Sequence, residues 1–253
     1  MRRIFCYLKK FTPLQWLVHA VVWAPAIWLA IAAQRGHLTV NPIQAATQRT
    51  GFTALTLLAL SLACTPLSAL FGLKQALKVR RALGVYAFLY AGGHFLLFTG
   101  VDYHFDLEFL WADVGKKPYI WVGLSAGLIL LALAVTSFQW WMKRLGKNWK
   151  KLHKLVYLAA PLVILHFAWT RKGNLFTLGG DMLQPLLFGL LVVALLVLRL
   201  PGVRKATRSW FSLRGRRNRL GQPDGGAHLE IVELEDPLIP LVVHPDDQTR
   251  LPG

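Results

Sequence analysis

Acidic residues are scarce in this chain: 12 Asp and Glu stand against 29 Lys and Arg among 253 residues, a formal charge of +17. They are also missing over long distances. None occurs in residues 1–101 and none from Val114 to Gly180. Five stand at Asp102, Asp106, Glu108, Asp113 and Asp181, and the other seven lie beyond Gln222. A soluble globule mixes both signs over its surface, so this distribution excludes one. Only 16% of the residues are charged, against about 25% in a soluble domain. A strongly basic balance points first to nucleic acid, but 55% apolar residues do not suit such a binder, and no nucleic-acid partner is expected. The same apolar content excludes disorder over most of the length. Cysteine is nearly absent. Cys6 lies in the leader and Cys64 within an apolar run, so no disulfide framework is expected, and no C-x-x-C motif offers a thiolate metal site. No Gly-rich phosphate loop and no internal repeat are visible.

What the chain has instead is long apolar runs. Six are long enough to cross a hydrocarbon core of ~30 Å, which takes roughly 20 helical residues: Leu14–Ala33, Gly51–Leu73, Leu83–Val101, Tyr119–Met142, Leu152–Thr170 and Met182–Leu200. Soluble buried helices would need an amphipathic face that these runs lack. The first run has a basic leader and an Ala30-Ile31-Ala32 stretch like a signal-peptide cleavage site. It is longer than a signal h-region of about 7–15 residues, so it is read as a retained helix. The fold expected is an all-α integral membrane protein, a bundle of six transmembrane helices.

Lys and Arg set the orientation. Arg2, Arg3, Lys9 and Lys10 precede the first run. Lys74, Lys78, Arg80 and Arg81 lie between the second and third, and Lys143, Arg144, Lys147, Lys150 and Lys151 between the fourth and fifth. Seven more basic residues follow the sixth run, from Arg204 to Arg219. The alternate connections carry few basic residues and the only acids before the tail. Both termini are therefore expected in the cytoplasm of a bacterium, with the chain in its inner membrane. Trp16, Trp111, Trp121, Trp140, Trp141, Trp149 and Trp169 fall near run ends, as an interfacial belt would. The expected organisation is a basic leader (1–13), the six-helix unit (14–200), a basic juxtamembrane segment suited to anionic lipid (201–220), and an acidic, Pro/Gly-rich tail (221–253) expected to be mostly disordered.

Eight histidines divide by depth. His37 and His104 fall in outer connections, and His228 and His244 in the tail. His19, His94, His153 and His166 lie in the runs, where an ionisable residue is a functional hypothesis by default. The third and fifth runs share a direction. His94 is 13 residues past Arg81 and His166 is 15 past Lys151, so their depths differ by about 3 Å. Two imidazoles at one depth on parallel helices can ligate one metal from opposite sides, as a six-coordinate b-type haem requires. Ala91, Gly92 and Gly93 beside His94 would let a flat macrocycle approach, although small residues in membrane helices also serve packing. His153 lies near the cytoplasmic face, about 20 Å along the axis from His166 and about 140° around an ideal helix. A kink at Pro161 could change that angle. A second haem or another redox group near His153 is a reading beside plain inter-helix hydrogen bonding, and no histidine lies at its depth to complete a pair. His19 is read as an inter-helix hydrogen-bonding residue.

These segments also carry a resemblance. Asn41-Pro42, Thr50–Leu67 (TGFTALTLLALSLACTPL), Arg80–His94 (RRALGVYAFLYAGGH), Lys117-Pro118-Tyr119, Thr136-Ser137 and Leu145–Trp169 (LGKNWKKLHKLVYLAAPLVILHFAW) resemble the MsrQ (YedZ) family, within the ferric-reductase-like transmembrane group. The resemblance spans about residues 10–200. It implies a haem b, a bound FMN, and electrons arriving from the quinone pool or a cytoplasmic flavin reductase. They would leave to a periplasmic molybdenum-containing reductase, MsrP, that repairs methionine sulfoxide. The family's helix-3 histidine falls on His94, its two helix-5 histidines on His153 and His166, and its basic pair on Arg80 and Arg81. Arg80, Arg81, Lys147, Lys150 and Lys151 could hold an FMN phosphate or haem propionates, or serve only as positive-inside anchors. The acidic connection Val101–Pro118 is the expected dock for a soluble acceptor. No general base or nucleophile is required, and no convincing triad is visible.

Two other functions compete. A ferric or NADPH-oxidase-type reductase appends an FAD/NADPH domain, and the roughly 53 residues after Leu200 are too few for a typical domain. A transporter or scaffold predicts a colourless protein with acidic or broken-helix features, and no acid lies within the six runs.

Overall fold

The computed structural model describes residues 12–171, 173–174, 179–180, 182–200 and 202–203. Most of the expected leader, Cys6, and nearly all of the expected juxtamembrane segment and tail lie outside the described residues.

The first run forms α1 (Pro13–Val21) and α2 (Ala24–Gln34). Thr12 and Gln15 close a capping box on α1, with the Thr12 N–H donating to Gln15 Oε1 at 2.8 Å. The break between the two helices falls where Pro25 has no N–H to offer the preceding turn. The second run is longer than expected. α3 (Pro42–Phe71) begins on an Asn41 cap whose Oδ1 accepts from the Gln44 N–H at 3.1 Å, with Pro42 in the first turn. It ends at Gly72, whose φ of +69° is the left-handed stop that glycine accommodates.

α4 (Lys74–Leu96) carries His94 near its end and passes into a π-helical turn, Leu97–Asp102. The chain then reverses through His104 and Phe105, at φ +49° and +56°. The Phe105 ring occupies the space a Gly100 side chain would need, 2.8 Å from the place of its Cβ. A short helix, α5 (Leu107–Val114), occupies the acidic connection.

α6 (Pro118–Val135) stops earlier than its apolar run. The Thr136 and Ser137 hydroxyls fold back on the Ala132 and Leu133 carbonyls at 2.6 and 2.7 Å, and Trp149 Nε1 donates to the Thr136 carbonyl at 2.9 Å. These bonds offer the backbone an alternative to continued helix. The chain continues as α7 (Gln139–Leu145), α8 (Lys147–Leu152), one 3-10 turn (His153–Leu155) and α9 (Val156–Trp169). A two-residue antiparallel pairing of β1 (Gly173–Asn174) with β2 (Gly179–Gly180) precedes α10 (Leu183–Val197).

Among the described residues five stretches are long and apolar enough to cross a membrane: Pro13–Gln34, Pro42–Phe71, Lys74–Asp102, Pro118–Val135 and Lys147–Trp169. The sixth run gives a shorter apolar helix, the 15-residue α10. α10 turns Leu187, Leu190 and Val193 outward, all more than half exposed, as a lipid-facing helix would. α3 packs against α4 and α6 against α9 as two hairpins. At the centre Leu62, Ala87, Ala159 and Val192 share one core. Ala87 and Ala159 are fully buried, and residues this small let helices approach closely.

Candidate functional site

α4 and α9 bring His94 and His166 together. Their ring centroids are 6.1 Å apart and the planes cross at 83°. Each ring is tied from behind. His94 Nδ1 donates to the Thr47 carbonyl on α3 at 2.8 Å, and His166 Nδ1 to the Tyr119 carbonyl on α6, also at 2.8 Å. A carbonyl can only accept, so Nδ1 carries the proton and Nε2 keeps its lone pair on both rings. A backbone carbonyl holding the other nitrogen is the usual outer-shell arrangement of a metal-ligating histidine.

The donor set limits what the pair could hold. Among the described residues no cluster of three or more His, Cys, Asp or Glu could hold a bare metal ion. Two imidazoles with free Nε2 atoms fit the axial positions of a macrocyclic iron, whose remaining ligands the macrocycle supplies.

His153 stands apart, toward the opposite end of the bundle. Its Nδ1 meets the Trp149 carbonyl at 3.2 Å and its Nε2 the Ser137 hydroxyl at 3.5 Å. The Trp149 ring lies against it at 4.2 Å, tilted by 34°. No histidine faces it among these contacts. Arg80 is partly buried and Arg81 exposed. His19 Nδ1 meets the Tyr86 hydroxyl at 2.8 Å, the inter-helix bond expected of it. His104 is exposed in its connection.

An apolar cleft of about 430 Å³ opens beside α1, lined by Leu17, Val21, Pro25, Thr56, Leu60 and Leu83 among others. Its walls carry no histidine and no charge, and the Thr53 and Thr56 hydroxyls are spent on their own helix carbonyls.

Residue types alone did not point to several participants. The two carbonyls are backbone and leave no signature in the sequence. Gly51 and Gly123 drew no notice in the sequence, yet each lies directly against a histidine ring. Arg199 passed as the end of an apolar run, yet its side chain turns inward. Nη2 donates to the Leu62 carbonyl at 2.6 Å, and the guanidinium lies 5.8 Å from the Tyr157 ring centroid.

A helical bundle of apolar spans with a histidine pair bridging two of them is the class of membrane haem carriers. The ferric reductase like transmembrane component family matches residues 50–164, a stretch holding Gly51, His94, Gly123 and His153. Known relatives are nearer still. A protein-methionine-sulfoxide reductase heme-binding subunit MsrQ from Caulobacter vibrioides is 36% identical over 199 residues, covering 76% of this chain and 91% of its own. Proteins of the same name from Herminiimonas arsenicoxydans and Bordetella pertussis are 42% and 39% identical, over 68% and 75% of this chain and 77% and 86% of theirs. The chain belongs to the MsrQ family and is a multi-pass integral membrane protein.

Proposed function

We propose that this chain is the haem-binding electron-transfer subunit of a protein-methionine-sulfoxide reductase system. The observation that carries the reading is the opposed pair, His94 and His166, each with Nδ1 tied to a helix carbonyl and Nε2 free. When bound there, haem b supplies a reversible one-electron couple. The chain's own residues hold the two imidazoles in one tautomer, keep the pair between apolar helices, and place it toward the end of the bundle that carries Asp102, Asp106 and Glu108. In this reading the chain crosses the bacterial inner membrane six times, α10 included, with both termini cytoplasmic.

Electrons then enter on the side of Arg80, Arg81 and His153 and leave at the acidic side. The donor is the quinone pool or a cytoplasmic flavin reductase. The acceptor is a periplasmic molybdenum-containing reductase of the MsrP type, docking on 101–118. FMN, carried by the family resemblance, fits the inner side, where Arg80 and Arg81 offer charge to a phosphate. His153, with Trp149 stacked on it, is the candidate for a second redox site. The leader, the basic juxtamembrane segment on anionic lipid and the acidic tail complete the organisation. The ferric reductase like match keeps one second reading: the same cytochrome with a different acceptor.

Gentle purification of the full chain tests the reading. A Soret band with stoichiometric iron is expected. A colourless, folded protein would overturn it in favour of a transporter or scaffold.

A further inference from the structure

The two histidines are held by the same device used twice. Thr47, Gly51 and His94 in the first hairpin match Tyr119, Gly123 and His166 in the second at one constant offset along the chain. Each histidine lies 47 residues beyond the carbonyl that holds it. Several buried positions keep the same register. Ala54, Leu58 and Leu62 answer to Ala126, Leu130 and Ala134, and the fully buried Ala87 of α4 answers to Ala159 of α9. The α3–α4 and α6–α9 hairpins are thus two copies of one unit, meeting at the histidine pair.

The glycine in each copy has a specific place. It lies four residues after the carbonyl that accepts the Nδ1 proton. In an α-helix the Cα–Cβ bond leans toward the N-terminus, so the side chain at i+4 overlies the turn of residue i. A carbonyl engaged in its own helix bond keeps a second lone pair, but a Cβ four residues on would cover it. At Gly123 an added Cβ would fall 2.6 Å from His166 Nδ1 and 2.7 Å from its Cε1. At Gly51 it would fall 3.0 Å from His94 Nδ1 and 3.2 Å from its Cε1. By contrast, a Cβ on Gly127, one turn further along α6, meets nothing within 4 Å.

We propose that Gly51 and Gly123 are the positioning residues of the histidine pair: each uncovers one helix carbonyl so that it can hold an imidazole by Nδ1 and fix the plane of the ring. The proposal rests on the haem reading above. The 83° between the planes follows from two such grips on different helices. The two sides differ in tolerance. His166 has no room to stay where it is if Gly123 gains a methyl, whereas His94 needs only a few tenths of an ångström beside an alanine at 51.

The test compares Gly123→Ala, Gly51→Ala and Gly127→Ala in the full-length protein with its haem. The readouts are ferric electron paramagnetic resonance, the midpoint potential, the haem-to-protein ratio and a thermal melt. Gly127→Ala is expected to match the parent throughout. Gly123→Ala is expected to shift the g-values and the potential, or to weaken haem binding about 10–100-fold, as loss of an outer-shell partner does, while the helices stay folded. Gly51→Ala is expected to do the same to a smaller extent. Parent-like g-values, potential and haem content in both Gly51→Ala and Gly123→Ala would overturn the proposal and leave the haem reading intact. So would equal losses in Gly127→Ala. A parent protein without bis-imidazole haem would instead sink the reading beneath it.

Discussion

Arg199 donates through Nη2 to the carbonyl of Leu62 at 2.6 Å, and that carbonyl has no helix partner because residue 66 is proline. Pro66 sits inside α3 without an N–H, so the carbonyl four residues earlier is left open. In hydrocarbon such a group costs several kcal/mol unless another donor reaches it. Arg199, just beyond α10, is that donor, and it fastens the last helix to the second span.

This pairing predicts a coupled stability effect. Arg199→Ala should destabilise the folded bundle by about 1–3 kcal/mol, the cost of a buried acceptor left unmade. Pro66→Ala restores an N–H at residue 66, so Arg199→Ala should cost less in that background. A double-mutant cycle on denaturation in detergent reads the difference; equal costs in both backgrounds would show that Arg199 is not capping the open carbonyl.

The crossed rings predict a spectroscopic signature. Two imidazole planes at 83° interact with different iron d orbitals and leave them nearly degenerate. The ferric low-spin resonance of the purified protein should therefore be of the strongly anisotropic kind, with one very large g-value. A compact rhombic signal of parallel imidazoles would contradict the geometry.

His153 should prove separable from the pair. Its ring contacts Trp149 and Ser137 rather than another histidine. His153→Ala should leave the signature of the His94–His166 centre in place, any loss being confined to a second spectral component. Disappearance of the first signature, in protein that still melts like the parent, would place His153 in that centre instead.

Orientation is checked by labelling. With Cys6 and Cys64 replaced, a cysteine at Glu108 should react with an impermeant maleimide once the outer membrane is opened. A cysteine at Lys150 should react only after the inner membrane is breached. Both positions are exposed, so the reverse pattern would invert the topology.

Much of this was legible in the sequence because a membrane span is a composition before it is a shape. The apolar runs, the basic turns and the depth match of His94 with His166 all follow from counting along the chain. The ends of helices were less legible. Asn41 and Pro42 are a cap and first turn, which extends α3 beyond its apolar run, and the hydroxyls of Thr136 and Ser137 end α6 inside one. The repeat went unseen because the two hairpins keep few residue identities. They keep a register of contacts, in which the carbonyls of Thr47 and Tyr119 are backbone and Gly51 and Gly123 count only by what they lack. Arg199 was hidden for another reason: Pro66, far away in the chain, creates the demand it meets.

In the proposed function His94 and His166 together are the axial ligands of one haem. The most direct measurement is the low-temperature optical and electron paramagnetic resonance spectrum of purified His94→Ala and His166→Ala proteins, each with a thermal melt to show that it is folded. Either substitution alone should abolish the bis-imidazole low-spin signature. Retention of that signature in both variants would contradict the assignment.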